Sequence, residues 1–123
     1  MFGRSHDLRQ FDASLRALDV HPALVPEAVK LTVVNLIKDH AVDDEPAPQA
    51  YGAAAQLIGY CMIGAEGFAA ANTTDLATEV ERRIEAALDY TGTLDAQLVL
   101  LALHAKIIQP SVVEMFGLEC AGN

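Results

Sequence analysis

Basic residues are scarce in this chain of 123 residues: 8 Lys plus Arg stand against 17 Asp plus Glu, a formal net charge of −9. Only Arg82 and Arg83 are adjacent, so no cationic stripe exists to displace counterions from a phosphate backbone, which argues against a nucleic-acid partner. The same shortage argues against adsorption on an anionic membrane, where a surface helix needs Lys and Arg on its polar face. Long apolar runs are missing as well, none approaching the roughly 18 to 20 residues that cross a bilayer. Met1 to Gln10, MFGRSHDLRQ, has no apolar segment of a secretory signal. These absences together place the chain in the cytoplasm.

Cysteine is nearly lacking. Cys61 and Cys120 show no paired spacing, and two such residues in an unexported chain read as buried or free thiols, not as a disulfide or a zinc site. Glycines at 52, 59, 64 and 67 fit neither nucleotide-binding pattern. No glutamate precedes a histidine by three, so the helical motifs that hold zinc or a di-iron pair are absent. The best remaining ligand group is Asp39, His40, Asp43, Asp44 and Glu45. It lacks the central glycine around which a calcium loop turns and is read as a solvated acidic loop, with no metal and no cofactor expected.

What the chain does have is apolar content: 52% of residues are hydrophobic and the mean hydropathy is +0.24. That composition is far from disorder, and the length suits one domain, 1–123, with one core. Helical periodicity dominates. Ser5 caps a first helix, 6–18, with Leu8, Phe11, Leu15 and Leu18 along one stripe, while Arg9, Asp12 and Arg16 decorate a solvated face. After Pro22 and Pro26, the segment Val29 to Ile37 has the β-branched residues of a strand. It is read as a helix because no second segment offers a strand partner for its backbone groups.

The acidic, proline-containing stretch 41–49 is a loop. Beyond it, residues 48–63 form a buried helix ended by Gly64, and 65–72 a short weak helical piece. Thr74 then caps an outer helix, 75–90, with Leu76, Val80, Ile84 and Leu88 inward. Thr93 to Ile108, TLDAQLVLLALHAKII, is apolar nearly all round and is read as the central core helix. Ser111 and Glu114 make a capping box over a last helix that stops at Gly117. The expected fold is all-α, a single-domain bundle of about five to six helices with 48–63 and 93–108 as two buried central helices.

Candidate functional residues are few. Gly52, Gln56 and Gly59 fall on one side of the 48–63 helix, where small residues let another backbone approach; they are the candidate interface to a second subunit. His104 interrupts the central helix with Gln97 one heptad earlier, and these two with Gln56 are the candidate polar points of a ligand cavity. No residue is assigned as catalytic. The leading expectation is a non-catalytic module that self-associates, as a homodimer, or binds a partner protein; the alternative is a small-molecule-binding protein or enzyme using His104, Gln97 and Gln56.

Overall fold

The computed structural model of the chain describes residues 6–42 and 46–118. Among them are six α-helices and no strand: α1 (His6–Ala17), α2 (Glu27–Asp39), α3 (Pro48–Ala71), α4 (Thr74–Asp89), α5 (Leu94–His104) and α6 (Pro110–Phe116). A 3₁₀ turn, Pro22–Leu24, joins α1 to α2. This is the expected all-α bundle. Residues 43–45, and with them most of the acidic loop group, lie outside the described residues, as do Ser5 and Cys120.

α3 is the axis of the bundle, in contact with α1, α2, α4, α5 and α6. It buries Tyr51, Ala54, Ala55, Leu57, Ile58, Gly59, Tyr60, Cys61, Gly64 and Phe68, positions distributed around its whole circumference. Such a helix holds only if neighbours enclose it. Gly64 breaks it, with φ 82° and ψ 171°. A non-glycine residue is strained in that conformation, so the sequence places glycine at the one point where α3 must bend. The break frees backbone carbonyls, and Gln109 takes two of them. Its N–H donates to the Cys61 carbonyl at 2.7 Å, and its Nε2 to the Met62 carbonyl at 2.7 Å.

That use of Gln109 explains why Ser111 and Glu114 form no capping box. α6 starts at Pro110, so Ser111 already lies inside its first turn and the N-cap is Gln109, whose side chain is committed to α3. Gly117, with φ 62° and ψ 38°, ends α6 in the left-handed conformation, as its position suggests.

α4 begins one residue earlier than expected, because Thr73 and not Thr74 is the cap: its Oγ1 accepts the Leu76 N–H at 3.0 Å. The buried stripe is Ala77, Val80, Ile84 and Ala87, so the helix is rotated from the Leu76 to Leu88 stripe and Leu88 is left exposed. Alanines facing inward allow α3 and α5 to come close to it.

Thr93 caps α5, accepting the Ala96 N–H at 3.1 Å. The helix stops at His104, short of Ile108, because Lys106 turns left-handed at φ 60° and the Ile107 N–H returns to the Ala102 carbonyl at 3.1 Å. This early reversal turns Ile107 and Ile108 back against the core before Pro110. α2 settles the strand ambiguity. Val29, Val33 and Ile37, with Lys30 and Val34 beside them, form one buried helical face.

Asp12 is the largest departure from the sequence pattern. It is 6% exposed, and its carboxylate meets Lys30 Nζ of α2, itself 5% exposed, at 2.9 Å. α1 packs on both α2 and α3, so it buries more than the single Leu8–Phe11–Leu15 stripe, and Asp12 lies one turn beyond Leu8 on the flank that α2 covers. A charge survives there because a matching charge is buried with it.

Candidate functional site

An apolar groove lies between the end of α4 and the length of α5. Its lining is Ala87 and Leu88 of α4, Thr91 of the turn, Ala96, Val99, Leu100 and Leu103 of α5, and Gly117 and Leu118 after α6. None of these nine residues carries a charge. Leu88 and Leu100 are 46% and 45% exposed, whereas Ala87, Ala96, Val99 and Leu103 are buried. Two leucines thus stand over a floor of small and medium side chains. The cause lies in α5: Leu98 through Leu103 is apolar without interruption, and its packed neighbours are α2, α3 and α4. Leu98 and Ala102 take the enclosed side and Leu100 is left over.

The groove encloses about 190 Å³. Pockets for drug-sized ligands run from about 300 Å³ upward and carry several convergent polar groups. Here the one side-chain polar atom in the lining is the Thr91 hydroxyl. The size is nearer to a cavity of roughly 150 Å³ that takes one benzene ring, so the groove suits one or two large apolar side chains.

A second depression, about 340 Å³, is polar and lies where α1, α2 and α3 meet, lined by His6, Asp7, Gln10, Lys38, Pro46, Pro48 and Tyr51. Asp7 Oδ1 accepts the Tyr51 hydroxyl at 2.5 Å, and Oδ2 meets Lys38 Nζ at 2.8 Å. The hydrogen bond from Lys38, then that from Tyr51, holds the Asp7 carboxyl below the usual carboxylate range. Burial, with the Asp7 charge beside it, pushes the Tyr51 phenol up to about 12. Both shifts lead away from neutrality, so carboxylate and phenol keep fixed protonation states near pH 7 and neither is tuned for proton transfer there. The trio acts as a clamp joining three helices.

Two further groups are closed in the same way. Tyr60 donates to Glu81 Oε2 at 2.6 Å, and its ring meets Phe68 and Phe116 edge to face at 5.7 and 6.5 Å. Burial and the Glu81 hydrogen bond push its phenol well above the ordinary value. Cys61 is fully buried, and burial raises its thiol to about 12. The protonated thiol is a poor nucleophile, in keeping with a core cysteine.

The candidate ligand residues have separate partners. Gln56 Oε1 accepts from Arg83 Nη1 at 3.3 Å. Gln97 Oε1 lies 2.8 Å from His40 Nε2, tying α5 to the end of α2. His104 is exposed at the last turn of α5. Arg83 is a hub that the sequence did not advertise. It grips Asp95 with two hydrogen bonds at 3.1 and 2.8 Å and donates to the Ala53 carbonyl at 3.0 Å, which fastens α4 to α5 and α3. Its partners are scattered through the chain, and no spacing rule joins them.

The candidate interface glycines divide. A methyl group on Gly59 would come 3.2 Å from Val20 Cγ2 and 3.7 Å from Phe68, so the close approach there is to the chain's own core. Gly52 faces open space within 4 Å. Among the described residues no three His, Cys, Asp or Glu side chains gather as a metal group, and no helix is long and apolar enough to cross a membrane. The candidates Asp39 and His40 are described, while Asp43, Asp44 and Glu45 lie outside.

No protein-family model matches the chain, and neither a curated protein nor a solved structure matches it.

Proposed function

We propose that the chain is a non-catalytic helical module that docks another protein through the groove between α4 and α5. The observation that carries this reading is the pair of half-exposed leucines, Leu88 and Leu100, facing an uncharged hollow sized for side chains. Fully burying a leucine is worth about 1.5 to 3 kcal/mol, so covering the exposed halves of these two gives a partner on the order of 2 kcal/mol before other contacts. The titratable groups near the other depression are locked by one another, which favours docking over catalysis.

The test is a selection of helical binders from a displayed random library, with the Leu88→Gln/Leu100→Gln protein as counter-target. Enriched sequences are expected to bind the wild type and to lose most of their affinity for the variant. Binders indifferent to the two leucines, or no enrichment, would overturn the reading. Sedimentation velocity over a concentration series decides whether the docked protein is a second copy: a dimer that the same substitutions dissociate would make it one.

A further inference from the structure

We infer that the occupant of the α4–α5 groove is an amphipathic helix whose apolar anchors are flanked by lysine or arginine; this rests on the docking reading above. The groove's shape argues for a helix. Its α5 wall runs from Ala96 to Leu103, two turns or about 10 Å, and Ala87 and Ala96 lower the floor between Leu88 and Leu100. A helix laid there offers anchors one turn apart, at i, i+3 or i+4 and i+7, and the walls are themselves helices.

The charge around it argues for basic flanks. Glu85 lies one turn before Leu88 on α4, Asp89 follows it, and Glu114 lies one turn before Gly117, its carbonyl accepting the Gly117 N–H at 3.3 Å. All three are exposed, and among the described residues they form no ion pair. The arginines of α4 do not offset them, since Arg82 pairs with Glu79 and Arg83 with Asp95. Beyond the α5 wall, His104 and Lys106 are the basic side chains, so carboxylates are in the majority on a chain of net charge −9. A second copy would bring the same three carboxylates and another −9 against the first. Like charges across an interface suppress binding and opposite ones steer it, so the rim selects a cationic partner over a second copy.

The experiment uses the full chain and two fluorescent synthetic helices of roughly four turns with the same leucine face, one carrying Lys and the other Glu elsewhere. Anisotropy titrations are run at low and physiological ionic strength. The Lys peptide is expected to bind at least about tenfold more tightly than the Glu peptide, the gap narrowing as salt screens it. Leu88→Gln/Leu100→Gln should abolish binding, with Leu100→Gln alone as the milder variant and circular dichroism melts as the check on folding. Glu85→Gln/Asp89→Gln/Glu114→Gln should remove most of the preference while leaving the leucine-dependent part.

Equal binding of the two peptides, each dependent on the leucines, would overturn the basic flanks and leave docking standing. Binding of the Lys peptide that ignores the leucines would mean attraction to an acidic surface at large and would overturn the inference. A leucine-dependent dimer would replace the proposed occupant by a second copy. If neither peptide binds, the inference falls, and the library selection separately decides whether docking falls with it.

Discussion

The α1–α2 flank and the α4–α5 flank treat their side chains in opposite ways. On the first, charge is taken out of water and matched, Asp12 with Lys30 inside and Asp7 with Lys38 and Tyr51 at the edge. On the second, hydrocarbon is left in water at Leu88 and Leu100 while the charged residues beside it stay solvated. A buried ion pair and an exposed apolar strip each cost stability, but in different currencies. The pair costs desolvation and is stable only while both members are present. The strip costs only unrealised burial, which a partner can recover. The first flank therefore reads as architecture and the second as a surface kept for contact.

The sharpest way to break this contrast is to remove one member of the inner pair. Asp12→Ala takes from the buried Lys30 ammonium its Asp12 partner and is expected to lower unfolding free energy by about 3 to 5 kcal/mol in urea denaturation. The double change Asp12→Leu/Lys30→Met should recover most of that loss. If Asp12→Ala is nearly silent, the inner pair is not the closed contact described here.

A smaller effect is expected at the edge clamp. Asp7→Asn should cost about 1 to 2 kcal/mol at neutral pH, since the half-exposed Lys38 shares its charge with water. The Asp7 carboxyl is lowered in the folded chain, so its contribution is complete above the ordinary carboxylate value and is lost as pH falls through the depressed one. Stability curves of wild type and Asp7→Asn should therefore converge below about pH 4. Parallel curves down to strong acid would remove the clamp.

The smallest effect belongs to the other flank. Leu100→Gln is expected to change monomer stability by no more than about 0.5 kcal/mol, as at other surface positions, even though it weakens docking. A large loss in a thermal or urea melt would show that Leu100 supports the core, and the two flanks would then differ less than their exposure indicates.

Much of the fold was legible from local chemistry. Thr93 as the start of α5, Gly64 as a break, Gly117 as a stop and the helical reading of Val29 to Ile37 depend on residues within a turn or two of each other, and local backbone preference decides them. The misreadings arose where a neighbour intervened. Thr73 replaced Thr74 by one position, Gln109 left its helix uncapped to serve the carbonyls of Cys61 and Met62, and Asp12 went inside because α2 covers its flank. The candidate site was less legible still. Leu88 looked like part of an inward stripe, and the apolar girth of α5 gave no sign of which leucine would be left outside.

Taken alone, the order of residues settled that this chain is helical, where most of its helices start and stop, and that its charge is strongly acidic, because those properties follow from backbone preferences, short-range spacing and simple counting. Tertiary packing decided which face of each helix meets the core. It thereby buried Asp12 with Lys30, spent Gln56 on Arg83 and Gln97 on His40, and left Leu88 and Leu100 in water. The reason is geometric: a helix apolar on every side satisfies its own backbone in any orientation, so only the number and position of its neighbours determine which side remains uncovered.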